Sequence, residues 1–123
     1  MNGGLFDETV AAHIEAIESR DLDALLATIT GGDRLTLIFP DATTTHTRRE
    51  YVDFHREWFA DEGWTMEFEP VSSLVHGDLG IALVRTTYTD ATGSRGTVLA
   101  LTFHRENAGW RLVFDQNTRI PAE

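Results

Sequence analysis

A chain of 123 residues with 41% hydrophobic and 24% charged side chains has the composition of one globular domain, and a domain of that size buries roughly two-thirds of its unfolded surface, enough for one core. The net charge of −10 argues against nucleic acid and anionic membrane surfaces as partners, since both call for a basic footprint. All ten basic residues are arginine, and lysine and cysteine are absent, which excludes a lysine Schiff base, thiol nucleophiles, thiolate metal sites and disulfides.

What remains is acid–base work by His, Asp, Glu or Tyr and electrostatic work by Arg. Residues 1–4 read as a loose leader. Met1–Glu8 carries neither a basic region nor a long apolar run, so a signal peptide is not expected, and no segment approaches membrane-spanning length. The cytoplasm is the default expectation. From Leu5 to Ser19, Phe6, Val10, Ile14 and Ile17 keep helical spacing. Asp21 caps a second helix that carries Leu22, Leu25, Leu26 and Ile29 and stops at Gly31-Gly32. Leu35–Phe39 reads as a short strand closed by Pro40-Asp41, and Ala42–His46 as loop or short strand. Thr47-Arg-Arg-Glu50 is a capping box. The helix behind it carries Tyr51, Phe54, His55, Trp58 and Phe59 and ends at Asp61–Gly63.

Everything beyond Gly63 reads as strand: Trp64–Val75, Leu79–Thr89, and a hairpin over Gly96–Thr118 that turns at Glu106–Gly109. On the last strand Trp110, Leu112 and Phe114 alternate with Arg111, Val113 and Asp115, and the strand turns polar at Asp115-Gln116-Asn117. Helices followed by an antiparallel meander define the α+β class, with helices on one sheet face. No repeat or linker divides the chain, so a single domain over residues 1–123 is expected. Thr97–Phe103 is apolar or neutral on both faces. Helices cover one face, and a second copy is the expected cover of the other, which makes a homodimer through the sheet.

Asp53-Phe54-His55-Arg56, Val84-Arg85 and Gly109-Trp110-Arg111, in this order of elements, resemble the nuclear transport factor 2-like (cystatin-like) superfamily. Within it the chain is similar to the SnoaL-like group and to the association domain of calcium/calmodulin-dependent kinase II. The resemblance implies a conical fold in which three N-terminal helices pack on a curved, mostly antiparallel sheet, with a pocket between them and dimers through the sheet. The same fold holds ketosteroid isomerase and polyketide cyclases. The isomerase's general base would fall at Phe39, its oxyanion-hole acid near Leu101 and its oxyanion-hole tyrosine at His13. Two of these three positions are apolar here, which argues against steroid isomerisation by that mechanism.

Arg85, mid-strand among Ile81, Leu83, Val84 and Thr87, needs a partner if buried. It is either an anchor for a carboxylate or enolate or half of an internal ion pair; in the association domain the similar arginine faces the pocket. His13, at the edge of the first helix's apolar stripe, is a proton-transfer group or a half-exposed histidine. His55 shares a helix face with Tyr51 and Trp58, and this stripe is either core or, with Phe39, an apolar wall with one polar member. Asp115 and Asn117 share a parity, and either face a pocket mouth or serve solubility. His46, His76 and His104 have no metal-ligand spacing, so neither metal nor cofactor is expected. Two functions stand side by side. One is a pocket protein acting as an isomerase, cyclase, lyase or dehydratase on an apolar carbonyl compound, without metal or covalent intermediate. The other is a non-catalytic ligand-binding or oligomerisation module.

Overall fold

The computed structural model describes residues 2–121, with side chains from Leu5 onward. Three helices, α1 (Asn2–Glu18), α2 (Leu22–Leu26) and α3 (Arg48–Ala60), accompany six strands: β1 (Arg34–Ile38), β2 (Thr44–Thr47), β3 (Thr65–His76), β4 (Leu79–Asp90), β5 (Gly93–Glu106) and β6 (Gly109–Arg119). They form one sheet of order β2-β1-β6-β5-β4-β3, antiparallel throughout except where β1 runs parallel to β6. The class is α+β, as expected, and α3 follows β1 and β2 as the order of signals along the chain has it, so the three N-terminal helices that the resemblance implies are not one uninterrupted block.

Helix α1 lies on the sheet through its apolar stripe. Phe6, Val10, Ile14 and Ile17 are all buried, and each such side chain contributes roughly 1.5–3 kcal/mol. Phe6 meets Phe103 and Trp110 edge-on at 5.4 and 5.2 Å between centroids. It lies so close to β4 that a Cβ on Gly80 would come 2.3 Å from its ring, so a side chain there would force the packed ring to move. Residues 2–4, expected as leader, continue the α1 backbone. Once the stripe is docked, extending a helix adds one hydrogen bond per residue fixed. Met1 lies outside the described residues.

Helix α2 is capped by Asp21, which accepts a 3.0 Å bond from Ala24 N. It ends at Leu26, well before Gly31. The cause is competition from β6: Leu112 N donates to Thr28 O at 2.8 Å and Thr30 N to Leu112 O at 3.0 Å, so residues 28–30 leave the helix to pair with the sheet. The capping box forms as read. Thr47 Oγ1 accepts from Glu50 N at 3.1 Å and Glu50 Oε1 accepts from Thr47 N at 3.1 Å. Phe39 falls just outside β1, in a turn closed by Ala42 N donating to its carbonyl at 2.9 Å.

The two faces of the sheet differ. On the helix side Ala82, Val84, Thr86, Thr97, Leu99, Leu101 and Phe103 are buried. On the other side no helix covers Leu74, Ile81 and Leu83, and all are exposed. The pairing of β5 with β6 slips between Thr102 and Phe103, which face Phe114 and Leu112 respectively, leaving Val113 as an extra residue. A bulge of one residue reverses parity beyond it. Trp110 and Leu112 therefore point inward, but Phe114 does not continue their row. Asp115 does, opposite Leu101.

Candidate functional site

The inner face of β5 and β6 and the facing side of α3 leave a hollow of about 370 Å³. Its floor is Leu37, Leu99 and Asp115, and its walls are Phe54, His55 and Trp58 from α3 with Met66 and Tyr88 from β3 and β4. Phe39 and Pro40 close one side, and Arg95 and Arg119 stand at the rim. Exposure rises along both strands in the same direction: from buried Leu99 and Thr97 to half-buried Arg95 on β5, and from buried Asp115 through half-buried Asn117 to exposed Arg119 on β6. The hollow therefore opens at the Arg95–Arg119 end.

The wall is stiff because it is stacked. Trp58 lies on Trp64 at 4.1 Å with an 11° angle between rings, and Trp64 Nε1 donates to Trp58 O at 3.0 Å. The Arg20 guanidinium covers the far face of this pair at 4.3 Å from the Trp64 ring and donates to the Trp64 carbonyl. Phe39 packs edge-on against Phe54 at 4.8 Å.

Asp115 is the one carboxylate of the lining. It is 5% exposed. Burial pushes its carboxyl up to about 7, against a downward pull from the amide of Asn117, which donates to its Oδ1 at 3.1 Å. Asn117 Nδ2 also donates to Ile38 O at 2.9 Å, so both amide hydrogens are used and the side chain cannot turn. The carboxyl is thus oriented by one bond and has its second oxygen uncommitted.

His55 is 3% exposed and lines the hollow. Its Nδ1–H donates to the Tyr51 carbonyl at 2.8 Å, which places the lone pair on Nε2. Burial draws its pKa down to about 4, with the Tyr51 carbonyl opposing, so the ring is neutral at pH 7 and acts as an acceptor.

The remaining expected residues lie behind the wall or beyond the sheet. His13 is wholly buried, neither half-exposed nor on the lining. Thr28 donates its hydroxyl to Leu25 O at 2.7 Å and so accepts from His13 Nδ1–H at 2.8 Å. Burial first, and His55 second, lower the His13 pKa to about 3. Its Nε2 has no partner. Tyr51 is fully buried beside His55, at 4.0 Å between ring centroids, and is not part of the lining. Its unpartnered hydroxyl is held well above the usual phenol range by burial and then by Asp115. Leu101 is wholly buried core beneath the hollow.

Arg85 corrects the sequence reading most sharply. It is exposed on the outer face, in the row of Ile81, Leu83 and Thr87, and opposite Glu69 of β3. Val84, its neighbour in the chain, is wholly buried and points the other way. The guanidinium groups of the hollow are instead Arg95 and Arg119. A signal for Arg95 existed: it shares the parity of Thr97, Leu99, Leu101 and Phe103. Arg119 shares the parity of Asp115 and Asn117. Among the described residues no three His, Asp or Glu side chains converge as a metal-ligand set, and no helix is long and apolar enough to cross a membrane.

A SnoaL-like domain model matches residues 7–121. No curated protein matches the sequence. Among solved structures, a protein provisionally described as a calcium/calmodulin-dependent protein kinase type II association domain, from Thiobacillus denitrificans, superposes with a TM-score of 0.81 at 24% identity, covering 94% of both chains. A provisionally assigned dehydratase of the NTF2-like family from Streptomyces avermitilis gives 0.82 at 19% identity, covering 97% of this chain and 96% of its own. A ketosteroid isomerase-like protein from Erwinia carotovora gives 0.77 at 19% identity over the same shares. At these identities the likeness to solved structures is one of fold.

Proposed function

The chain belongs to the SnoaL-like family, and from that premise we propose that it binds an apolar, carbonyl-bearing small molecule beneath α3 and moves a proton on it with Asp115. The reaction class is isomerisation, cyclisation, elimination or dehydration, with neither metal nor covalent intermediate. The observation that carries this reading is a buried carboxyl on the floor of an apolar hollow, oriented by Asn117 and with one oxygen free. A group titrating near neutrality is populated in both forms and serves as base or acid. His55 Nε2, on the α3 wall of the same hollow, is a second acceptor. The graded burial along β5 and β6 supports a cone-shaped interior closed at its deep end.

The test is deuterium exchange at the α-carbon of β-tetralone, followed by NMR near neutral pH. The protein accelerates exchange, and Asp115→Asn, checked for unchanged fold by circular dichroism, loses the acceleration. Equal exchange with and without Asp115 contradicts the assignment.

A second reading, assembly without catalysis, is favoured by one separate observation. Leu74, Ile81 and Leu83 expose apolar side chains on the outer sheet face, at 62%, 40% and 36%. A homodimer through this face would bury them. Sedimentation equilibrium checks it: the wild type is a dimer and Leu83→Asp a monomer, whereas a monomeric wild type contradicts the reading.

A further inference from the structure

We propose that the ligand of this hollow is an amphiphilic anion, with its apolar body under α3 and a carboxylate held at the rim by Arg119 and Arg95. The proposal rests on the hollow being a ligand site and names what that ligand carries.

Two arginines from neighbouring strands line the open end. Arg119 is the cross-strand partner of Thr97, and Arg95 is two residues before Thr97 on the same face. Such diagonal neighbours stand roughly 7–8 Å apart at Cα, within reach of each other's long side chains. Two cations this close repel unless an anion lies between them. Asp90 answers one of them: its Oδ2 accepts from Arg95 Nη2 at 2.6 Å, and this bond holds Asp90 below the usual carboxylate range. Arg119 makes no direct ion pair among the described residues; the carboxylate that feels its charge is Asp41, whose own hydrogen bonds go to Thr43.

Arg95 is also placed rather than loose. Its guanidinium lies over the Tyr88 ring at 5.0 Å, and Tyr88 lines the hollow. The cation is thus fixed between Asp90 and an aromatic wall: Nη2 and Nη1 donate to the two Asp90 oxygens at 2.6 and 3.3 Å and Nη1 also to Thr92 Oγ1 at 3.1 Å, which leaves Nε as its donor for a ligand. Asp90 beside Arg95 and Asp41 near Arg119 offset much of the charge at the mouth, so the mouth offers an anion guanidinium donors rather than a net positive field.

The orientation follows from the other end. Asp115 lies deepest, and an anion beside it would meet a carboxyl in an apolar setting. An anionic head therefore stays at the rim and the apolar tail goes inward against Leu37, Leu99 and Trp58. The fork of Arg95 is taken by Asp90, so Arg119 is the guanidinium that receives a planar carboxylate through two parallel N–H bonds, with Arg95 Nε beside it.

The test compares phenylbutyrate with its neutral amide, phenylbutyramide, by isothermal titration at low and moderate salt. Hydrogen bonds to a charged group give the acid at least about tenfold tighter binding than the amide, with a margin that narrows as salt rises. Arg119→Gln brings the acid down to the amide's level, and Arg95→Gln narrows the gap. Arg56→Gln, at an exposed α3 position that does not line the hollow, makes the same change in net charge and keeps the preference. Equal binding of acid and amide by the wild type overturns the anionic assignment while leaving the hollow a ligand site. Loss of the preference in Arg56→Gln overturns it too, by reducing it to net charge. Binding of neither compound overturns both this proposal and the ligand site beneath it.

Discussion

The strands β4 and β6 belong to the same sheet and treat their polar residues in opposite ways. β4 alternates without interruption: Gly80, Ala82, Val84 and Thr86 are buried, and Leu79, Ile81, Leu83, Arg85 and Thr87 between them are exposed. Its mid-strand charge, Arg85, falls outside, where solvent and Glu69 surround it. β6 begins with the same alternation and then gains one residue at Val113. That residue turns Asp115, Asn117 and Arg119 to the inner face and sends Phe114 out of the inner row. The one slip in the pairing of β4 falls on its partner β3, at Val71, so β4 itself keeps strict alternation and Arg85 stays in water, whereas the bulge on β6 places a carboxyl at the bottom of an apolar hollow. Bulges beside functional sites re-aim side chains in this way.

The sharpest way to break this comparison is to truncate one leucine on each face. Leu101→Ala removes a wholly buried side chain opposite Asp115 and costs about 2–5 kcal/mol in urea unfolding. Leu83→Ala removes a side chain on the outer face and costs under about 1 kcal/mol in the monomer. Equal costs contradict the assignment of faces.

Next in size is the pH dependence of stability. The pKa of Asp115 is raised in the fold from 3.8 to about 7, so the folded chain binds a proton that the unfolded chain has lost, and stability falls as pH rises between these values. His13 and His55 are lowered from 6.5 to about 3 and about 4, so the unfolded chain binds their protons first and stability falls as pH drops below 6.5. Between about 4 and 6.5 two protons favour the unfolded state and one the folded state. From these three groups stability rises with pH by about 1.4 kcal/mol per unit, the worth of one proton. Asp115→Asn removes the opposing proton and doubles that slope, as read from urea midpoints across the window. An unchanged slope contradicts the burial of this carboxyl.

Smaller effects separate caps from faces. Thr47→Ala removes the acceptor for Glu50 N and half of the capping box, costing about 1 kcal/mol in thermal unfolding. Arg85→Gln, with its side chain in water, stays within about 0.5 kcal/mol and leaves exchange of β-tetralone intact. A large loss from Arg85→Gln would place the residue somewhere other than the outer face.

The sequence carried the elements well because their signals are local. The Phe6–Ile17 stripe, the Thr47–Glu50 box and the turns at Gly77 and Gly109, with φ of 64° and 124°, are each set within a few residues. It carried the third-helix wall for the same reason: His55 and Trp58 line the hollow, and Phe39 and Asn117 join them. Arg85 misled because an apolar run reads as buried on both sides, whereas only its alternate residues are. Asp115 was legible as a candidate, but its direction was not. Simple alternation puts it opposite Trp110, and the Val113 bulge depends on how β5 and β6 pair, a long-range property. His13 was out of reach for a similar reason: its burial depends on Thr28 being drawn toward β6 after α2 ends.

The most direct test follows the carboxyl carbon resonance of Asp115 by NMR through a pH titration, alone and with phenylbutyramide bound. A carboxyl on the floor of an apolar hollow titrates with a midpoint of about 7 and moves further when the amide excludes water. A midpoint at the ordinary 3.8, unmoved by the amide, would mean that this carboxyl stands in water and that the hollow holds no acid–base group.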